Sequence, residues 1–167
     1  MSQPSLHITV KQGSLLDADA QVIVNAANSS GLMGGGIAGV IRRAAGVQVE
    51  EEARKQAPIP VGSAVLTSAG RLRFQGIIHA PTMPQPAMRI PPDNVAKATQ
   101  AALEVADAQG FTSIAFPGMG TGVGRVSHRD AAHHMIAAIR QFQPRSLQSV
   151  ILMDIDPAMV QAWQEAL

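Results

Sequence analysis

The sequence predicts an α/β fold, a sheet covered by helices on both faces. Three observations point there. Short apolar runs rich in β-branched residues, such as Val22-Ile23-Val24 and Ile77-Ile78, alternate with longer segments whose apolar residues recur at helical spacing. Two glycine-rich loops each follow such a run and precede such a segment, the usual hand-over from strand to helix in these sheets. At 167 residues, 46% hydrophobic and with 15 glycines, the chain suits one compact domain with its own core.

Each element can be justified in order. Leu6-His7-Ile8-Thr9-Val10 alternates and reads as a first strand, and Gly13-Ser14-Leu15-Leu16 turns out of it. After the polar connector Asp17-Ala18-Asp19, Val22 to Ala26 is a second strand. A polar loop with Asn25, Asn28, Ser29 and Ser30 leads to Gly34-Gly35-Gly36. Ile37, Val40, Ile41 and Ala44 then share a helical face, and Gly46 stands where a helix stops. Val47 to Ala57 is a second helical piece ended by Pro58 and Pro60.

Val61 to Thr67 reads as a third strand with a turn around Gly70, and Ile77 to Ala80 as a fourth closed by Pro81. Thr82 to Pro92, with four prolines, is a loop. Asp93 or Asn94 can cap a helix running to about Gln109, with Val95, Ala98, Ala102, Val105 and Ala106 on one face and Gly110 as its stop. Ser113 to Phe116 is a fifth strand, and Pro117 to Gly124 a second glycine loop. Ser127 and Asp130 fit a capping box that opens a helix with Ala131, Ala132, Met135, Ile136, Ile139 and Phe142 on its apolar side. Ser149 to Met153 is a sixth strand and Pro157 to Leu167 a final helix.

The two glycine loops carry the functional reading. A helix start offers free backbone N–H groups and the positive end of its dipole, and glycines let an anion reach them. If both loops lie at the carboxyl ends of neighbouring strands, two anion-binding turns face each other, which suits a diphosphate. Gly34-x-Gly36-x-x-Gly39 matches the dinucleotide fingerprint only formally, because nine residues separate Val24 from Gly34 and no acidic residue ends a following strand. There is no GK[ST] and hence no P-loop.

Composition removes other classes. The net charge of +1 and few aromatic residues argue against a nucleic-acid surface. With no cysteine, disulfides and thiolate metal sites are impossible. No apolar run would span a membrane and no signal-peptide pattern opens the chain, so a cytoplasmic location is expected.

His128, His133 and His134 lack the i, i+4 pair that aims two ligands from one helical face, so no metal site is expected and a solvated face is. His79, in an apolar strand, reads as a satisfied core histidine, and Asn25 as a structural residue bonded to loop backbone. Glu50, Glu51 and Glu52 with Arg54 and Lys55, and likewise Arg42 and Arg43, read as charged helix surface.

Three motifs occur together: Val24-Asn25-Ala26-Ala27-Asn28-Ser29 with Gly34-Gly35-Gly36, Ile78-His79-Ala80-Pro81, and Ile114-Ala115-Phe116-Pro117 with Gly120-Thr121-Gly122-Val123-Gly124. In this order they resemble the macro domain family, and the resemblance runs from about Leu6 to the end. It implies one macro domain over residues 1–167, a three-layer α/β/α sandwich around a six-stranded mixed sheet. It also implies a cleft for ADP-ribose or an ADP-ribosylated molecule, with no further cofactor.

By that resemblance Asn28 would hold the terminal ribose and is the candidate catalytic residue. Gly35, Gly36 and Ile37 would present backbone to that ribose and the diphosphate. Gly120, Thr121, Gly122, Val123 and Gly124 would wrap the diphosphate from the other side. Ser14 and Leu15 would border the adenine and Val24 would line its pocket.

The sequence departs from the family's pattern in places. Ser14 stands where many members carry an aspartate for the adenine amino group, and Ala38 where several hydrolytic members carry a water-activating aspartate. Arg125 replaces a common aromatic residue. Met153 and Ile155 supply no stacking ring near the last strand. The resemblance therefore implies either hydrolysis of an ADP-ribosyl ester, such as O-acetyl-ADP-ribose, or a non-catalytic module that reads ADP-ribose; Ala38 favours the second.

Overall fold

The computed structural model describes residues 5–85, 88–122 and 124–167. Six strands form one sheet: β1 (His7–Gln12), β2 (Val22–Asn28), β3 (Val65–Thr67), β4 (Gly76–Met83), β5 (Ser113–Phe116) and β6 (Ser149–Asp154), in the order β1-β6-β5-β2-β4-β3. Every pairing is parallel except that of β3 with β4. The helices are α1 (Gly36–Ala45), α2 (Val47–Lys55), α3 (Asp93–Ala108), α4 (His128–Gln141) and α5 (Pro157–Ala166).

Strand alternation sorts the core into two layers. Val22, Val24, Ile78, Ala80, Ile114, Phe116, Val150 and Leu152 pack with α3, α4 and α5. Their neighbours Ile23, Ile77, Ala115, Ile151 and Met153 pack with α1 and α2. Because successive strand residues point to opposite faces, a near-continuous apolar run serves both layers at once. The result is a three-layer α/β/α sandwich around a six-stranded mixed sheet.

Several expected boundaries move. The third strand is shorter than Val61–Thr67, since Gly62 (φ 99°) bends the chain before Val65. β2 runs on to Asn28 and β4 to Met83, so Pro81 lies inside β4 instead of closing it. Beyond His79, β4 has left its pairing with β3, and a residue without an N–H is tolerated where one side carries no ladder. Neither Asp93 nor Asn94 caps α3; the Asn94 side chain donates to Thr82 O (2.9 Å) instead, tying the helix start to the end of β4. On α1 the buried face is Ala38, Gly39, Ile41 and Ala45, whereas Val40 remains 36% exposed. Small residues let this helix lie close to the preceding loop: a Cβ on Gly39 would come within 3.3 Å of Gly34 O.

The end of α3 carries a carboxylate clamp. Asp107 accepts from the backbone N–H groups of Arg145 (3.0 Å), Ser146 (2.8 Å) and Leu147 (2.9 Å) and from the Ser146 hydroxyl, fixing the approach to β6. Burial raises its pKa, but these donors outweigh burial and hold it below the ordinary 3.8. Asp107→Ala should cost about 2–3 kcal/mol in urea denaturation at neutral pH, since it strands donors that favour an ionised acceptor. A depressed carboxylate stabilises above its unfolded pKa and loses that contribution as pH falls through its folded value. The gap between parent and variant should therefore close below pH 3.8.

Candidate functional site

β2 and β5 are adjacent and parallel, in register at Val22–Ile114 and Ile23–Ala115. Their loops therefore leave the same edge of the sheet. The loop after β2 is tied down along its length. Ser29 N donates to Met83 O (2.9 Å), Ile59 N to Ser29 O (2.8 Å), and Met33 N to Glu50 Oε2 (2.6 Å). Asn28 Nδ2 donates to Leu32 O (3.1 Å), while its Oδ1 accepts from the Ser30 backbone (3.0 Å) and hydroxyl. Asn28 thus shapes the loop, and its second amide hydrogen remains for another acceptor.

The charged stretch on α2 is not simply surface. Glu50 is 15% exposed at its side chain and also accepts from Arg42 Nε (3.1 Å). Glu52 accepts from Ser68 N and Oγ. No local spacing signals these contacts, because only the packing of α2 against other segments brings the partners together.

The glycines differ in purpose. A Cβ on Gly120 would strike Val95 Cγ2 at 2.9 Å, and one on Gly124 would meet Gly120 O at 2.7 Å, so both are required by packing. At Gly34, Gly35, Gly36 and Gly122 a Cβ would meet nothing within 4 Å. Gly35 also has extended backbone (φ −144°) and needs no glycine for its conformation. It offers no side-chain cap to α1, so the first-turn N–H groups of that helix receive no side-chain acceptor from it. Ile37 is half-buried beside them.

In the loop after β5, Gly118 N donates to Asp154 Oδ2 (2.9 Å), Val126 N to Gly120 O (3.0 Å) and Ile90 N to Gly124 O (3.2 Å), which hold this second loop in shape. Thr121 is half-buried on it, and Val123 lies outside the described residues. Ser127 caps α4 through Asp130 N (3.0 Å).

Ser14 and Leu15 lie at the end of β1, where Gly13 N donates to Asp154 O (2.9 Å). Ser14 Oγ accepts from Leu16 N (3.2 Å) and Leu15 is buried. Three inter-strand steps separate β1 from β2 in the sheet, or about 14 Å. The turn after β1 and the loop after β2 thus stand well apart along one edge of the sheet. Ile155, just after β6, is a large apolar side chain that is 72% exposed. Val24 is fully buried under α3 and α4.

Asn25 bonds a side chain and not loop backbone: its Nδ2 donates to His79 Nδ1 (3.1 Å). That fixes the tautomer, so His79 Nε2–H donates to Thr67 Oγ1 (2.9 Å), whose hydroxyl passes on to Ser68 O (3.0 Å). His79 is a core histidine with both nitrogens bonded. His128 pairs with Asp156 (2.8 Å). No group of three or more His, Asp or Glu side chains converges as a metal site among the described residues, and none of their helices is long and apolar enough to cross a membrane.

Comparison with known proteins decides the family. The family model described as Macro domain matches residues 24–135, which hold both glycine loops. This chain belongs to the macro domain family. An uncharacterised protein of Aquifex aeolicus is 57% identical over 97% of this macro domain chain and 98% of its own length. A protein of Escherichia fergusonii named O-acetyl-ADP-ribose deacetylase is 38% identical over 83% of this chain and 81% of its own. Among solved structures, an Oceanobacillus iheyensis macrodomain with ADP superposes with a TM-score of 0.82 at 29% identity, covering 94% of this chain and 87% of that one. A Trypanosoma brucei macrodomain in complex with ADP-ribose gives 0.85 at 26% identity, covering 95% and 68%.

Proposed function

We propose that this macro domain binds ADP-ribose, free or joined to another molecule, in the cleft between its two glycine loops. One observation carries the reading: Gly35 and Gly122 face open space and have no packing reason to be glycine. Backbone kept bare on both sides of an uncapped helix start suits close approach of a diphosphate. Relatives of the same fold hold ADP and ADP-ribose, which supports it. Asn28 serves the terminal ribose, Gly36, Ile37, Thr121 and Val123 the diphosphate region, and Ser14 and Leu15 the adenine end. A calorimetric titration with ADP-ribose tests the reading, and absence of heat at millimolar ligand rejects it.

The finer reading is hydrolysis of an ADP-ribosyl ester, supported by the relative named as a deacetylase. In that reaction the bound diphosphate orients the attacking water and Asn28 positions the ribose. Asn28→Ala should then lower turnover of O-acetyl-ADP-ribose roughly tenfold or more, the worth of one hydrogen bond to the reacting sugar, with less effect on affinity. A variant as fast as the parent removes Asn28 from the chemistry. Ala38 favours the alternative of a non-catalytic reader, since this buried methyl group (7% exposed) brings no carboxylate to the start of α1. Acetate release from O-acetyl-ADP-ribose separates the two.

Ser14 sets the expectation at the other end. A neutral hydroxyl discriminates less among bases than a carboxylate facing an amino donor. Ser14→Asp should tighten ADP-ribose roughly tenfold, because a charged acceptor adds about 1–1.5 kcal/mol. It should leave inosine diphosphate ribose unchanged, whose ring lacks that donor. Equal gains for both ligands would place position 14 away from the amino group.

A further inference from the structure

We infer that Glu50 is the positioning residue of the ADP-ribose cleft: from the next helix it sets the shape of the bare glycine segment. This rests on the binding reading above. The three glycines Gly34, Gly35 and Gly36 are exposed, with no neighbour that a Cβ would touch. Such a segment has little to define its path, because glycine backbone is permissive and carries no side chain to pack. Apart from the bond that Gly39 N on α1 donates to Gly35 O (3.1 Å), its shape must come from what holds its two ends.

Both ends meet at one carboxylate. On the near side, Met33 N donates to Glu50 Oε2 at 2.6 Å, and the Met33 side chain is buried. On the far side, Arg42 on α1 donates from Nε to Glu50 Oε1 at 3.1 Å. Glu50 lies outside the glycine segment and outside α1, and its largely buried side chain points between them. Charged acceptors make the stronger hydrogen bonds. Removing the carboxylate frees Met33 N and Arg42 together, and the diphosphate then has to order a segment that the parent holds ready.

The test compares Glu50→Ala, Glu50→Gln and the parent, with melting temperature as a control for folding. Two quantities are read: the affinity for ADP-ribose by calorimetry, and amide hydrogen exchange at residues 33–36 without ligand. Glu50→Ala should weaken binding about tenfold or more and speed exchange in that segment by a similar factor, with the β5–α4 loop unchanged. Glu50→Gln keeps an acceptor for Met33 N and should recover affinity to within about threefold of the parent. If Glu50→Ala fails to fold, Arg42→Met replaces it, releasing one end of the clamp, and should speed exchange at 33–36. Parent-like affinity and exchange in the variant tested overturn the inference, as does a general acceleration of exchange across the protein. If the parent itself does not bind ADP-ribose, the functional reading falls, and the exchange data alone decide whether Glu50 sets the loop.

Discussion

Gly35→Glu is expected to abolish ADP-ribose binding while leaving the fold intact, and Gly122→Glu to do the same from the opposite wall of the cleft. Both positions have room for a side chain, so the free variants should melt close to the parent. With a diphosphate in place, however, the new carboxylate occupies its space and repels it. Two like charges about 4 Å apart at the effective dielectric of a protein surface repel by about 4 kcal/mol. That is enough to move an affinity by more than about a hundredfold. Gly124→Ala is the contrasting control, because its Cβ would lie 2.7 Å from Gly120 O and should damage folding before ligand is added. Calorimetry and thermal melts on the three variants separate a ligand wall from a packing requirement. Retained affinity in both folded glutamate variants would show that no diphosphate sits there.

The second large effect is on stability against acid. Burial holds the His79 pKa down at about 4, from an ordinary 6.5, with the nearby Glu52 charge pulling weakly the other way. The native protein therefore keeps this ring neutral where the unfolded chain protonates it. Between pH 6.5 and about 4 the unfolded state binds one more proton, so stability falls as pH falls. Integrated over that window the loss is about 3 kcal/mol, at 1.36 kcal/mol per unit. Above pH 6.5 the contribution is complete and flat. Urea unfolding across this range should show the slope in the parent. His79→Gln, which can keep one hydrogen bond but cannot titrate, should be less stable at neutral pH and lack this part of the slope. An equal slope in both proteins would place the acid sensitivity elsewhere.

Much of this was legible beforehand because it is local. Val22-Ile23-Val24 had to be a strand buried on both faces, and Ser127 had to start a helix, since apolar periodicity and a capping hydroxyl act within a few residues. His79 was legible for the same reason, as a polar residue within an apolar run. What depends on distant segments was not. Glu50 looked like surface because its partners, Met33 and Arg42, come from an earlier loop and helix. Pro81 looked like a strand end because its tolerance depends on where β3 stops. Within the glycine loops the sequence gives Gly120, Gly122 and Gly124 the same weight. Only the surroundings separate the packed glycines from the open one.

The pairing of β1 with β6 has a kinetic consequence. His7 lies opposite Ser149, so the outer edge of the sheet joins segments from near the two ends of the described chain. Contacts of such sequence separation pay their loop-closure entropy before they return any stabilisation, and they slow folding. On a ribosome, β1 emerges before β6 and waits without this partner until β6 has been made. Its half-polar run, with Lys11 and Gln12 exposed at the end, limits the attraction of that waiting strand for other chains. Refolding should then be gated by the docking of β1, and substitutions along β1 should slow refolding more than they speed unfolding.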